Sequence, residues 1–179
     1  GMRHVVLGTS FQAEVFEEYF GDGSEMGLEI EYVFEEKALG TGGAIRNVMN
    51  KLRHNNAMVF NGDVLGGTDL NAILQTHEQK QADVTMHLVR VADPRAFGCV
   101  PTDEDGRVVA FLEKTMDPPT DQINAGCYVF RKEIINTIPA GRVVSVERET
   151  FPRLLEEGLR VYGHVDHAYW RDMGTPKDF

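Results

Sequence analysis

The stretch Met58–Val64, with the sequence MVFNGDV, decides how the rest of the chain is interpreted. A short apolar run that ends in turn residues is typical of a buried strand in a parallel sheet. Asp63 would then lie at the carboxyl end of this strand, where open α/β sheets bind their ligands. A carboxylate at this place can hold a hard cation such as Mg²⁺. Because Asn-Gly-Asp is also a common turn sequence, a purely structural role stays open from this stretch alone.

Strand and helix patterns alternate on both sides of this stretch. Apolar or alternating runs predict strands, and helical spacing predicts helices, with Asp69 as an N-cap. The predicted strands cover residues 4–9, 28–34, 58–61 and 83–91, and the predicted helices cover residues 11–20, 39–53 and 70–80. This order predicts an α/β fold with a Rossmann-like, doubly wound, mostly parallel sheet.

The pattern changes after residue 91. Two apolar runs, 97–101 and 108–112, flank the turn sequence DEDG at 103–106, which predicts an antiparallel hairpin insertion. Further strands are predicted at 123–130, 159–165 and 168–171, and helices at 132–138 and within 147–157, where Pro152 favours a helix start. The whole chain, residues 1–179, is therefore interpreted as a single domain.

The composition excludes several functional classes. The chain of 179 residues carries a formal net charge of -10, whereas a nucleic-acid surface needs clustered Lys and Arg. The same charge argues against an anionic membrane surface. No run approaches the ~20 apolar residues that a membrane-spanning helix requires. We therefore expect neither nucleic acid nor a membrane as a partner.

The two cysteines indicate the compartment. Cys99 and Cys127 lie within strand-like runs, where buried reduced thiols are favoured over a disulfide or a metal pair. The start of the chain is polar and lacks the apolar region of a signal peptide. Together these features predict a cytoplasmic location.

A Gly-rich stretch, LGTGGAI, opens the second predicted helix. It begins with Leu39, Gly40, Thr41, Gly42 and Gly43 and so has three glycines in four residues at the helix start. Glycines at a helix start let a ligand approach the backbone closely, and the N–H groups there favour anions or carbonyl oxygens. The dinucleotide fingerprint is excluded because Ile45 stands where Gly or Ala is needed. A tight strand-to-helix turn is the structural alternative.

Further candidate residues follow later strands. Lys114 ends a strand-like run and can pair with a phosphate, while Glu113 can accept hydrogen bonds from sugar hydroxyls. An exposed charged pair is the structural alternative for both. The sequence Asn124-Ala125-Gly126 precedes an apolar strand and can bind a ligand or begin a turn.

A second carboxylate, Asp172, follows the short aromatic strand at 168–171 and precedes a Gly-Thr-Pro turn. If Asp172 converges on Asp63, the two carboxylates would form a Mg²⁺ site completed by water and phosphates. Their separation along the chain cannot show that they converge.

Five motifs occur in an order that resembles a known family. They are LGTGGAI (39–45), VFNGDVL (59–65), FGCVPTDEDGRVVAFLEK (97–114), NAGCYVF (124–130) and YWRDMGTP (169–176). Their order and spacing are similar to those of the sugar-1-phosphate nucleotidyltransferases, or NDP-sugar pyrophosphorylases, which have a GT-A-like fold. The phrases VVLGTSF, AFGCVPTDEDGRV and SVERETFP look most like the bacterial mannose-1-phosphate guanylyltransferase branch.

The resemblance implies nucleotidyl transfer from a nucleoside triphosphate to a sugar-1-phosphate, which releases pyrophosphate. The favoured pair is GTP and mannose-1-phosphate, giving GDP-mannose. Two alternatives stay open from the sequence. One is glucose-1-phosphate uridylyl- or thymidylyltransferase activity, and the other is a catalytically inactive sugar-nucleotide-binding regulatory homologue or fragment.

The resemblance also implies roles for the candidate residues. Asp63 and Asp172 would hold Mg²⁺, and Lys114 would contact the sugar phosphate. The implied sugar-binding residues are Gly98, Glu113, Asn124, Ala125 and Gly126. The implied nucleotide-binding residues, near the base and ribose, are Leu39, Gly40, Thr41, Gly42 and Gly43.

One element of the family pattern has no counterpart in this sequence. The family carries a Gly-rich loop of the form G-x-G-T-R after its first strand, and that loop clamps the triphosphate. We therefore expect a domain truncated at the N-terminus and also at the C-terminus, or a homo-oligomer in which another chain completes the sheet by strand exchange.

Overall fold

A computed structural model describes residues 2–10, 12–112 and 114–177 of the chain. The strands in these residues are β1 His4–Thr9, β2 Glu29–Phe34, β3 Asn56–Phe60, β4 Val64–Gly66, β5 Val84–Arg90, β6 Gln122–Arg131, β7 Val161–Asp166 and β8 Trp170–Asp172. The α-helices are α1 Ala13–Phe20, α2 Gly40–Asn47, α3 Leu70–Gln79, α4 Lys132–Asn136 and α5 Phe151–Glu156. The sequence predicted every one of these elements except the three-residue strand β4.

The strands form three sheets. β1 and β2 are parallel neighbours, in register from the pair His4 and Glu29 to the pair Thr9 and Phe34. The main sheet has four strands in the order β3-β6-β5-β7. β4 and β8 form a short antiparallel pair. The predicted α/β class is therefore confirmed, with helices alternating with strands along the first half of the chain.

The direction of β6 departs from the predicted, mostly parallel sheet. β6 runs antiparallel to both β3 and β5, while β5 and β7 are parallel. The prediction of a buried parallel strand at 58–61 is thus wrong: in the described part of the chain β3 pairs only with β6, and Phe60 is 51% exposed. The reason lies in the connection from β5 to β6. In the described residues of this connection the 3-10 turn Pro94–Ala96 is the only helical element, and there is no crossover helix, which a parallel return would need.

The hairpin insertion lies in this connection. Antiparallel bridges join Thr102 to Val108 and Cys99 to Leu112. Asp103 closes the turn by accepting hydrogen bonds from the N–H groups of Asp105 and Arg107 at 3.0 and 2.8 Å. The predicted hairpin with an Asp-Gly turn is confirmed.

The hydrophobic core lies between the main sheet and α5. Phe151, Tyr128 and Phe130 are fully buried, and the Phe151 ring lies 5.2 Å from the Tyr128 ring and 6.0 Å from the Phe130 ring between centroids. A π-helical turn, Val146–Thr150, precedes α5 and brings Phe151 into this cluster. The predicted helix start near Pro152 is confirmed, since Pro152 lies in the first turn of α5.

The helices are short and have local start signals. Asp69 caps α3 by accepting a hydrogen bond from the N–H of Asn71 at 2.9 Å, as its position in the sequence predicted. α3, with ten residues, is the longest helix in the described residues. None of the helices described for this chain has the length and apolar character needed to cross a membrane.

The β1–β2 pair is organised differently from the main sheet. None of the residues in β1, β2 and α1 is buried. An ion network supports the pair instead: Arg53 binds Glu29 and Glu31, and Glu31 also contacts Lys51 at 2.9 Å and His4 at 2.8 Å. Among the residues that the structure describes, β1 pairs only with β2, so one edge of β1 and one edge of β3 carry no neighbour. Strand exchange at these edges stays a prediction.

Candidate active site

The pairing of β4 with β8 brings two carboxylates together. Asp63 directly precedes β4, and Asp172 ends β8 opposite Val64. The N–H of Met173 donates to the carbonyl oxygen of Asp63 at 2.8 Å, which fixes the two chain segments side by side. The strand β4, which the sequence did not predict, is therefore the element that makes Asp63 and Asp172 neighbours.

The turn after β8 shows where the two carboxylates point. The N–H of Gly174 donates to Asp172 Oδ1 at 2.8 Å. A Cβ built on Gly174 would lie 3.0 Å from Asp172 Oδ1 and 3.5 Å from Asp63 Oδ2. One oxygen of each carboxylate thus faces the same small space beside Gly174. Two carboxylates that face one space offer oxygen ligands to a cation placed there.

This donor set fits Mg²⁺ in one particular way. Mg²⁺ is commonly held by one or two carboxylates, with water and substrate phosphates completing its coordination. In residues 2–10, 12–112 and 114–177, no cluster of three or more His, Cys, Asp or Glu side chains forms a metal site by itself. Asp63 and Asp172 therefore suit a metal whose remaining ligands come from solvent and a phosphate-bearing substrate.

A β-bulge places the sequence Asn124-Ala125-Gly126 beside Asn61, two residues before Asp63. The register between β5 and β6 shifts between Met86 and Leu88, and Gly126 adopts a φ of +74°. Bulges re-aim side chains next to functional sites. The carbonyl oxygen of Gly126 accepts a hydrogen bond from the N–H of Asn61 at 2.8 Å, which ties the bulge to the turn that carries Asp63.

The same bulge connects to Gly98 and to the buried Tyr128. The N–H of Asn124 donates to the carbonyl oxygen of Gly98 at 2.9 Å. The Asn124 amide donates to the Tyr128 hydroxyl at 2.6 Å and accepts from the N–H of Gly126 at 3.1 Å. Burial raises the pKa of Tyr128, so its hydroxyl stays protonated. The amide orientation of Asn124 is consequently fixed by its own neighbours.

An aromatic cavity of about 480 Å³ borders Asp172. Its lining residues are Phe97, Tyr169, Trp170, Arg171 and Asp172. The rings of Phe97 and Trp170 meet edge to face at 5.4 Å, and Trp170 Nε1 donates to the carbonyl oxygen of Ala125 at 3.0 Å. These aromatic walls are not among the site residues predicted from the sequence. Their positions in the sequence could have indicated them, because Phe97 directly precedes Gly98 and Trp170 lies two residues before Asp172.

The Gly-rich helix start packs against another part of the chain. The N–H groups of Gly42 and Gly43 donate to the carbonyl oxygen of Val144 at 2.8 and 3.2 Å, and both glycines are buried. A Cβ on Gly43 would lie 2.6 Å from the Arg142 carbonyl oxygen, and one on Gly40 would lie 2.6 Å from that of Val144. These three glycines are therefore needed for close packing, and within residues 39–45 only Gly40 and Thr41 are exposed.

Two glutamates that the sequence analysis did not consider support this helix start. Glu147 Oε2 accepts a hydrogen bond from the Thr41 hydroxyl at 2.7 Å. Glu35 is buried, and its Oε2 accepts from the N–H of Leu39 at 3.1 Å, while its Oε1 has no partner. An unpartnered buried carboxylate oxygen beside the Gly-rich stretch is a local cost to folding.

Lys114 lies just beyond the hairpin insertion. Lys114 is exposed and has a left-handed φ of +32°. Two residues earlier, Leu112 forms a bridge with Cys99, the neighbour of Gly98. The path of the chain therefore leads from the Gly98 side of the cavity to Lys114. Glu113 lies outside the described residues, and its role stays a prediction.

A second cavity, of about 530 Å³, lies at the opposite end of β3 around Asn56. Its basic side chains bond to the chain itself. Arg131 donates to the carbonyl oxygen of Gln81 at 3.0 Å, and Lys132 Nζ donates to that of Leu52 at 2.5 Å. Although this cavity is slightly larger, its distance from the paired carboxylates makes the aromatic cavity beside Asp172 the better candidate.

Paired carboxylates, a Gly-rich helix start and a cavity at one end of a mixed α/β sheet suit an enzyme that handles phosphate esters. Comparison with known proteins supports this class of enzyme. The family model described as Nucleotidyl transferase matches residues 1–179, and the chain belongs to this family.

Two curated relatives that the chain matches along its whole length are named guanylyltransferases. The chain is 67% identical over 180 residues to a mannose-1-phosphate guanylyltransferase of Mycobacterium tuberculosis, an alignment covering 100% of this chain and 50% of that protein. It is 33% identical over 179 residues to a D-glycero-alpha-D-manno-heptose 1-phosphate guanylyltransferase of Aneurinibacillus thermoaerophilus, covering 100% of this chain and 76% of that protein. The chain thus spans about half the length of the mycobacterial relative.

Solved structures give the same fold. The crystal structure of HddC from Yersinia pseudotuberculosis superposes with a TM-score of 0.86 at 26% identity, covering 99% of this chain and 76% of that one. A second structure of HddC, in complex with GMP-PN, superposes with a TM-score of 0.83 over 97% of this chain and 74% of that one. The GT-A-like nucleotidyltransferase fold that the motifs implied is confirmed.

Proposed function

We propose that the chain forms the nucleotidyltransferase part of an enzyme that makes GDP-mannose from GTP and mannose-1-phosphate. The observation that carries the proposal is the 67% identity, along the whole chain, to the mycobacterial mannose-1-phosphate guanylyltransferase. The 33% identity to a heptose 1-phosphate guanylyltransferase and the GMP-PN complex of HddC support a guanine nucleotide as the donor.

The proposed reaction needs no protein nucleophile. A phosphate oxygen of mannose-1-phosphate attacks the α-phosphorus of GTP and forms a new oxygen–phosphorus bond. The bond between the α-phosphorus and the oxygen that bridges to the β-phosphorus breaks, and pyrophosphate leaves with that oxygen. Such a transfer depends on alignment of the reactants and on neutralisation of phosphate charge.

Asp63 and Asp172 are proposed to hold Mg²⁺, supported by the orientation of both carboxylates toward the space beside Gly174. The ion would neutralise charge on the phosphate oxygens during transfer. The contribution of the chain is to hold the two carboxylates at a fixed separation through the pairing of β4 with β8. Neither aspartate needs to take or give a proton in this scheme.

The substrates are proposed to bind on the two sides of these carboxylates. On the sugar side, Asn124 and the backbone of Gly98 would bind hydroxyls beside the aromatic cavity, as would the neighbouring Ala125 and Gly126. Lys114 and Glu113 would contact the sugar phosphate and the sugar. On the nucleotide side, Leu39 and the exposed Gly40 and Thr41 would lie near the base and ribose, with the buried Gly42 and Gly43 supporting them.

We place the reaction in the cytoplasm, where nucleoside triphosphates are available. Cys99 and Cys127 support a reducing compartment, since both are buried and free. Burial raises the pKa of Cys127 to about 12, so its thiol is unreactive.

The proposal is tested by pyrophosphate release in a matrix of substrates. GTP, UTP and dTTP would each be combined with mannose-1-phosphate and with glucose-1-phosphate in the presence of Mg²⁺. The proposal predicts the highest kcat/KM for GTP with mannose-1-phosphate and little release from the Asp63→Asn variant. A preference for UTP or dTTP with glucose-1-phosphate would contradict the substrate assignment, and no release with any pair would contradict the activity.

A further inference from the structure

Asp166, at the end of β7, joins three parts of the molecule through its carboxylate. Asp166 Oδ1 lies 2.9 Å from His87 Nε2, on the central strand β5, and accepts from the N–H of Ala168 at 3.1 Å. Asp166 Oδ2 accepts from the Thr68 hydroxyl at 2.5 Å. We call His87, Asp166 and Thr68 the β7 network.

The β7 network lies where the chain enters and leaves the β4–β8 pair. Thr68 follows β4 by two residues, and Asp166 precedes β8 by four. The β4–β8 pair is a separate two-stranded sheet, and it carries the candidate metal ligands Asp63 and Asp172. One carboxylate therefore connects both strands of this pair to the centre of the main sheet.

Burial and charge make these bonds strong ones. The His87 side chain is 2% exposed and that of Asp166 is 23% exposed. Burial by itself would raise the pKa of Asp166, but hydrogen bonds from His87 and Thr68 outweigh it and leave the pKa below its ordinary value. Asp166 is therefore ionised at neutral pH, and hydrogen bonds to an ionised group are stronger than neutral ones.

The other histidines of this layer have partners outside the network. His164, which lies beside His87 in the register of β5 and β7, bonds to the Thr76 hydroxyl at 2.8 Å. His77 bonds to the Thr85 hydroxyl at 2.9 Å. Thr76 is thus a matched counterpart of Thr68: each is a half-buried threonine bonded to a β7 residue, and only Thr68 lies next to β4.

We propose that His87, Asp166 and Thr68 are positioning residues. The bond from Thr68 to Asp166 joins the segments after β4 and before β8, and His87 anchors that bond to the main sheet, so the network preserves the β4–β8 pairing that holds Asp63 beside Asp172. The inference rests on the proposed function, because it assumes that these two aspartates bind the metal. None of the three positioning residues needs to touch the substrate.

The experiment measures Mn²⁺ binding to the purified protein by electron paramagnetic resonance, beside kcat and KM at low and saturating Mg²⁺. Thr68→Val removes the hydroxyl and keeps the side-chain shape, whereas Thr68→Ser keeps the hydroxyl. Groups that hydrogen-bond directly to metal ligands change metal affinity by roughly 10–100-fold when replaced, and the β7 network acts one step further from the ligands. We therefore expect Thr68→Val to weaken Mn²⁺ binding by up to about tenfold, and Thr68→Ser and the control Thr76→Val to keep nearly the original affinity.

The outcomes separate this inference from the function on which it rests. Folded Thr68→Val with unchanged Mn²⁺ affinity would overturn the inference. Asp166→Asn, which also keeps its shape, replaces Thr68→Val if the latter does not fold, with the same expected loss. Failure of both to fold would overturn the inference in favour of a purely structural role. If Asp63→Asn leaves Mn²⁺ binding unchanged, the proposed metal site itself fails, whatever the threonine variants show.

Discussion

The main sheet and the β1–β2 pair are held together by different forces. In β5 all residues except Arg90 are buried, and the aromatic core around Phe151 packs on β6. In β1 and β2 no residue is buried, and ionic contacts around Glu31 and Arg53 support the pair. Apolar burial dominates folding stability, whereas exposed ion pairs contribute little.

This difference assigns different roles to the two regions. The main sheet holds the bulge at Asn124–Gly126, and the bond between Thr68 and Asp166 attaches the β4–β8 pair to it, so the candidate metal site is connected to the region with the buried core. The β1–β2 pair leads into the Gly-rich helix start through Glu35. Regions with few buried contacts open locally at a lower free energy than the core. We therefore expect the nucleotide side of the site to be the more mobile one.

The largest expected effect tests the main sheet. Phe130→Ala removes a fully buried ring and should lower the free energy of unfolding by about 3–5 kcal/mol, measured by urea denaturation. The matched control in β2 is Phe34→Ala. Phe34 is 59% exposed, so this variant should change the free energy by less than about 1 kcal/mol. Equal losses for the two variants would remove the contrast between the regions.

A smaller loss of stability is expected where α2, which follows the β1–β2 pair, packs against residues 142–144. The Cβ of Gly43→Ala would lie 2.6 Å from the backbone oxygen of Arg142, which cannot move as a flexible side chain can. We expect a loss of about 1–3 kcal/mol in the free energy of unfolding. Gly66→Ala is the control, because a Cβ there meets nothing within 4 Å. A neutral Gly43→Ala would show that the packing of α2 against residues 142–144 adapts easily.

The smallest effect concerns the ion network of the β1–β2 pair. Hydrogen bonds from Lys51, then His4 and Arg53, lower the pKa of Glu31 from 4.5 to about 2. Because the folded-state pKa is below the unfolded one, the contribution of Glu31 is present above pH 4.5 and is lost as the pH falls toward 2. Amide hydrogen exchange in β1 and β2 should accelerate, relative to the intrinsic rates, over this range, while exchange in β5 changes little. In Glu31→Gln this part of the pH dependence should disappear, and its persistence would assign the effect to other groups.

The sequence predicted much of the fold because local patterns carry much of it. The apolar runs, the Asp69 cap and the Asp-Gly turn of the hairpin were each visible without the structure. The direction of β6 was not visible, since the side chains of a strand alternate in the same way in either direction. It depended on the connection from β5 to β6, whose described residues contain no crossover helix.

The sequence predicted several individual residues of the candidate site, but it did not show which of them lie together in the fold. Asp63 and Asp172 were both found at the ends of apolar runs, but their convergence depends on β4, whose three residues are too few to show a pattern. Glycine spacing suggested ligand contact at 39–43, and it could not reveal that Val144 occupies the N–H groups of Gly42 and Gly43. The sequence did not predict a site role for Phe97, Trp170 or Glu147, because single aromatic or acidic residues occur throughout most proteins.

The central claim, that Asp63 and Asp172 form one metal site for nucleotidyl transfer, is tested most directly by a double-mutant cycle. The measurement is kcat/KM for pyrophosphate release from GTP and mannose-1-phosphate in Asp63→Asn, Asp172→Asn and the double variant. Each single variant should lose roughly 100-fold or more in kcat/KM. The double variant should have about the same kcat/KM as the less active of the two single variants, because the same metal site is lost in every case. Losses that multiply in the double variant would show that the two aspartates act independently and would contradict the claim.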